Sequence, residues 1–130
     1  MTAQAQPGWP RDLPPGGTAE FDDAVTGWLL DRAPADLRAS PIRHLPIALA
    51  RVVAHCVAAD LAGMRAAYAC ARVELAEHLP ADQIAVVQAA LEAEGARLLR
   101  LQREVALVEE ALVASVRRTR PRGVDKGSIA

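Results

Sequence analysis

Aromatic residues are nearly missing from this chain. Trp9, Phe21, Trp28 and Tyr68 are the whole set, although 52% of the 130 residues are hydrophobic. The apolar content is carried by Ala, Leu and Val, with 28 alanines. Alanine and leucine are strong helix formers, and the β-branched and aromatic mixture that fills sheets is scarce. An all-α protein is the expectation. Length allows one domain and leaves little room for two.

Charge of one sign is also lacking. The formal net charge is −1, so no global field draws in nucleic acid or an anionic membrane. Fourteen of the fifteen basic residues are arginine, a bias that suits a GC-rich coding sequence. Cys56 and Cys70 are the only cysteines, and with no basic segment and apolar run at the start they suggest reduced thiols in a cytoplasmic protein. No charge-free apolar run reaches the 18 residues that a membrane helix needs, so no membrane span is expected.

Proline and glycine are concentrated at the two ends. Residues 1–17 contain Pro7, Pro10, Pro14 and Pro15 and three glycines, which predicts an extended or disordered segment. Pro7 to Pro10 has PxxP spacing; alternatively, Trp9 and Leu13 lie against the body. Thr18 is a candidate N-cap for a short amphipathic helix over about 19–32, with Phe21, Val25, Trp28 and Leu29 on one stripe. "PADLRA" reads as a turn, Ser40–Pro41 as a capped helix start, and Pro46 as the beginning of a long helix. That helix is expected to reach about Leu79, where Pro80 ends it and opens the next, from about Ala81 to Arg118. The basic tail 119–130 has little to bury and is expected to be disordered.

The last helix has the sharpest periodicity. Ile84, Leu91, Leu98, Val105 and Leu112 recur every seven residues. Val87, Leu101 and Val108 take the alternate position, interrupted by Glu94 and Ser115. This is a coiled-coil-like seam sustained over four repeats. Two helices of 34 and 38 residues would be rods of roughly 50 and 57 Å, too long for a compact domain of this size. The short break at Pro80 makes them antiparallel neighbours. The expected domain, 18–118, is therefore a long antiparallel helical hairpin with a short N-terminal helix, pairing residue n with roughly 161 − n.

The stretch "VVAHCVAADLAGMRAAYAC" holds the most chemistry, in His55, Cys56, Asp60 and Cys70. Fourteen residues along one helix separate the two thiols by about 21 Å, so they cannot bridge within the chain. The last helix supplies no His or Cys to complete a metal set. The cysteines read as packing residues, His55 as solvent-facing, and no cofactor or metal is expected. Asp60 falls inside an apolar arc that includes Leu49, Val53, Cys56, Val57, Met64, Tyr68 and Leu75, and Glu94 falls in the seam. Buried charges need partners, which predicts Asp60 with Arg97 and Glu94 with Arg65 or Arg72, fixing the register or contacting a partner protein. With Tyr68, Leu98, Leu101 and Val105, these form the candidate interaction surface. The middle helix's arc is wider than one neighbour can cover, which suggests a homodimer.

"FDDAVTGWLLDRAPADLR" followed by "LEAEGARLLRLQREVALVEEAL" resembles small helical proteins of high-GC, actinobacterial-type bacteria, over about Phe21 to Leu112. The resemblance implies a bacterial cytosolic origin and carries no activity or site residue. The reading that follows is a non-enzymatic interaction or scaffold protein that self-associates, forming a dimer or larger homo-oligomer, and engages a further protein. The alternative is a nucleic-acid-associated factor using Arg117, Arg118, Arg120 and Arg122 as anion contacts. Against it stand the neutral charge and the lack of an aromatic–basic surface. A small helical enzyme with its site between subunits ranks third, because no constellation of titratable groups accompanies the carboxylates.

Overall fold

The computed structural model describes residues 6–119. These residues form an all-α fold with no strand among them, in the order α1 (Ala19–Leu30), two short 3₁₀ turns (Ala35–Ala39 and Pro41–His44), α2 (Pro46–Leu75) and α3 (Ala81–Thr119). Helices α2 and α3 pack against each other along the chain's longest contact, and α1 lies across both.

Local chemistry sets each boundary. Thr18 is extended, with φ −110° and ψ 156°, and its Oγ1 accepts from the Phe21 N–H at 3.0 Å while its hydroxyl donates to the Pro15 carbonyl. Glu20 and Asp22 complement the positive end of the dipole. Helix α1 ends at Leu30, two residues before the expected stop, since Pro34 disfavours helical geometry at Ala33. Ser40 caps the second 3₁₀ turn through the Ile42 N–H, and Pro46 occupies the first turn of α2, where a missing N–H costs nothing. Helix α2 ends at Leu75, not Leu79. The chain tightens into turns there because a residue before proline avoids the helical region, and the Pro80 carbonyl then accepts from Gln83 and Ile84 to open α3.

The core gathers on one part of the long helices. Phe21, Val25, Trp28 and Leu29 of α1 meet Leu49, Ala50, Val53, Val57 and Leu61 of α2 and Leu98, Val105, Val108 and Leu112 of α3. Each fully buried Leu or Phe contributes about 2 kcal/mol of transfer free energy. Ser115 is buried too, and its hydroxyl donates to Asp22 Oδ1 at 2.6 Å, so the polar interruption of the heptad stripe is satisfied by α1.

The lead-in 6–17 runs through turns with Trp9, Pro10 and Leu13 buried. The Trp9 indole N–H donates to the Leu13 carbonyl at 2.9 Å, and its ring centroid lies 5.7 Å from that of Phe21. The four-residue spacing of Trp9 and Leu13 thus closes one turn on itself and seats both side chains in the core. Gly16 permits this approach: a Cβ there would stand 2.7 Å from the Ala111 Cβ.

Candidate interaction surface

The surface is built from what the core leaves uncovered. From residue 62 to residue 97, the second half of α2 and the first half of α3, only Ala71 and Ile84 are buried. Over the same stretch Tyr68, Val73 and Val86 are 41%, 83% and 69% exposed. An 18-residue window of α2 has a mean hydropathy of 1.6 with no more than two charged residues, yet only 28% of it is buried. By length and composition alone this helix could cross a membrane, although α2 carries Arg51, Asp60, Arg65 and Arg72 along its length.

A groove of about 410 Å³ opens between the two helices in this region. Leu61, Met64 and Tyr68 of α2 line it with Leu91 and Leu99 of α3. Gly95 and Ala96 are the small residues in its lining, and Arg65 and Glu92 are the charged ones. A shallower hollow lined by Ala89, Glu92, Ala93 and Ala96 lies beside it on α3. An added Cβ at Gly95 would meet nothing within 4 Å, so the space beside it is open.

The residues singled out from sequence divide in two. Leu98 and Val105 are buried within the fold and Leu101 is half-buried, which places them in the contact between α2 and α3 and its junction with α1. Asp60 and Arg97 are exposed, Glu94 is half-buried, and Tyr68 is exposed beside the groove. Asp60 is therefore not inside an apolar arc. The buried line on α2 is narrower, through Leu49, Val53, Val57 and Leu61 at spacings of four, and Asp60 lies a full 100° away from Leu61. Cys56 is half-buried and Cys70 exposed, His55 and His44 are exposed, and no group of three metal-ligating side chains forms among the described residues.

The expected ion pairs are corrected as well. Arg97 donates from Nε and Nη2 to both Glu94 carboxylate oxygens, at 2.8 and 2.7 Å. A partner one turn away on the same helix needs less ordering than one across the interface, so neither Asp60–Arg97 nor Glu94 with Arg65 or Arg72 forms. The paired guanidinium holds the Glu94 carboxyl below its ordinary range. Arg97 is raised, by the bond to Glu94 first and by the nearby charge of Asp60 last.

Sequence reasoning missed the polar cluster that ties the lead-in to α1. The Trp28 indole N–H donates to Asp12 Oδ1 at 2.9 Å, and Arg32 donates to Asp12 Oδ2 at 2.8 Å while its guanidinium carbon sits 3.9 Å from the Trp28 ring centroid. Burial pushes the Asp12 carboxyl up, but the Trp28 and Arg32 hydrogen bonds together outweigh it and hold the pKa below normal. The i, i+4 spacing of Trp28 and Arg32 was the available signal. Arg51 also pairs with Glu109 at 3.0 Å. Arg117 and Arg118 are exposed in the last turn of α3; Arg120 and Arg122 lie outside the described residues.

The chain matches no protein-family model, no curated protein and no solved structure.

Proposed function

We propose that this protein is a non-enzymatic helical interaction protein: a cytoplasmic antiparallel hairpin that self-associates and offers its surface to a protein partner. The observation that carries the reading is the stretch 62–97, where two helices rich in Ala, Val and Leu bury only Ala71 and Ile84. Apolar surface of that extent on a soluble chain calls for a cover.

The antiparallel hairpin is supported by three juxtapositions. Arg51 bonds Glu109, while Leu61 and Tyr68 share a groove with Leu99 and Leu91. All three sit close to the register set by a turn at Pro80. The heptad positions Ile84, Leu98, Val105 and Leu112, all buried, with Leu91 half-buried between the first two, support a coiled-coil-like seam. A membrane-spanning role for α2 is disfavoured because an arginine or aspartate near mid-bilayer costs about 3 kcal/mol on insertion scales.

Light scattering during gel filtration, at protein concentrations from micromolar to hundreds of micromolar, tests the reading. A mass above the 13.8 kDa of one chain is expected. A single-chain mass throughout would sink self-association. The nucleic-acid alternative rests on Arg117 and Arg118, and on Arg120 and Arg122 beyond them. So few phosphate contacts give weak, steeply salt-dependent binding. Retention of DNA or RNA near 200 mM salt would displace the interaction reading.

A further inference from the structure

The groove between α2 and α3 has features that select its occupant. Its lining is apolar through Leu61, Met64, Tyr68, Leu91 and Leu99, and the small Gly95 and Ala96 on α3 let another helix come close. It also carries one charge of each sign, on opposite helices. Arg65 belongs to α2 and Glu92 to α3, and neither takes part in an ion pair among the described residues.

We infer that a second copy of this chain docks groove to groove, forming a four-helix bundle in which Arg65 of each copy faces Glu92 of the other. This rests on the self-association reading and adds to it the face, the symmetry and the residues. These two charges choose between the two ways of pairing such faces. A twofold axis across the helices would lay α2 on α2 and bring Arg65 toward Arg65. A twofold axis running along them lays α2 of one copy on α3 of the other, which matches Arg65 to Glu92 twice. A surface complementary to itself in this manner is what an isologous dimer requires.

The area suits a weak dimer. The open stretches are 62–75 of α2 and 81–97 of α3, about 15 residues or roughly 23 Å each. Two packed helices are together about 20 Å wide, so each copy offers a face of roughly 450 Å². Two copies then hide about 900 Å², in the range of transient interfaces. The product is a four-helix bundle over the half of the rods that α1 does not reach, with the ridge-and-groove packing such bundles share.

Charge reversal tests the arrangement. Arg65→Glu and Glu92→Arg, separately, are expected to weaken the dimer about tenfold by sedimentation equilibrium, since the twofold axis doubles each exposed pair. The double variant is expected to return to within about threefold of wild type. All three residues changed in these tests are outside the buried core, and circular dichroism should show unaltered helix content. Gly95→Lys, at a position with open space around its Cβ, should abolish the dimer, by about a hundredfold or more, and leave the monomer folded, because it buries a charge at the centre of the contact. A wild-type oligomer that is indifferent to the single reversals, or that the double reversal fails to restore, overturns the groove and leaves self-association standing. A wild-type monomer at every concentration overturns both. A monomer that floats with phosphatidylcholine vesicles assigns the face to lipid instead.

Discussion

Along the same two helices, one half is finished and the other is not. Where α1 and the lead-in lie, α3 buries Leu98, Val105, Val108 and Leu112 and α2 buries Leu49, Val53, Val57 and Leu61. Beyond that, through residues 62–97, the pair buries only Ala71 and Ile84. By residue count the sequence is nearly as apolar there, though alanine makes up more of it. The difference is geometrical: two helices in contact exclude water from a single stripe each, and a third element is needed before the flanking positions close. Helix α1, at 12 residues, spans only about 18 Å. The finished half shows what the unfinished half lacks, and that is a third packing element.

The largest expected effect would set the two halves against each other at equivalent positions of one stripe. Leu98→Ala removes a side chain that is 2% exposed within the core cluster and should cost about 3 kcal/mol. Leu91→Ala, one heptad earlier and half-buried in the open groove, should cost about 1 kcal/mol in the monomer. Denaturant unfolding at dilute concentration measures both. Equal losses would mean that the halves are equally packed and would break the comparison.

A smaller effect belongs to the finished half alone. Thr18→Ala removes the acceptor for the Phe21 N–H and should cost about 1 kcal/mol. The loss should be seen in thermal unfolding, and Thr18→Asp should recover most of it. If Thr18→Ala left the midpoint unchanged, α1 would not be what closes that half.

The pH dependence of the lead-in comes next. The Asp12 carboxyl is held below its ordinary pKa by Trp28 and Arg32, against a rise from burial. A lowered folded pKa means that its contribution is complete above the ordinary carboxylate range and is lost as pH falls through the folded value. Asp12 is largely exposed, so this is worth no more than about 1 kcal/mol. Acid unfolding followed by tryptophan fluorescence should be shallower in Asp12→Asn than in wild type below about pH 4. Identical acid limbs would remove Asp12 from the account.

What the sequence disclosed follows the same division. The four-residue stripe of α1, Thr18 and the prolines at 46 and 80 are local signals, and each reappears in the fold. Of the seven-residue positions in α3, Ile84, Leu98, Val105 and Leu112 are buried and Leu91 is half-buried. The lead-in was legible in part: four prolines and three glycines in residues 1–17 read as extended or disordered, while Trp9 and Leu13 were the pair expected against the body, and both are buried. The ion pairs were misread because cross-helix partners were sought for charges that had a partner three residues away. The groove left almost no trace in periodicity. Only the register from Pro80, applied to Arg65 and Tyr68, would have set them opposite the alanines and Gly95 of α3.

The smallest expected effect concerns Asp60, and it decides which of two causes fixed the register. If a charge pair across the helices did so, Asp60→Ala would cost several kcal/mol, as losing one partner of a buried pair does. Asp60 is exposed, however, and Arg97 is engaged by Glu94 in a two-bond fork on its own helix. Asp60 reaches Arg97 only through its field, as the last of the influences that raise the guanidinium. Exposed charges at such range interact by a few tenths of a kcal/mol and are screened by salt. Asp60→Ala should therefore shift stability by less than about 0.5 kcal/mol, and a cycle with Arg97→Ala should show coupling no larger than that. The alanine even gains slightly in helix propensity. Register is then held by the apolar stripe, through Leu61, Leu98 and their neighbours, where a one-residue slip would expose every member at once. A coupling above about 1.5 kcal/mol that survives 0.5 M salt would return the role to the charges.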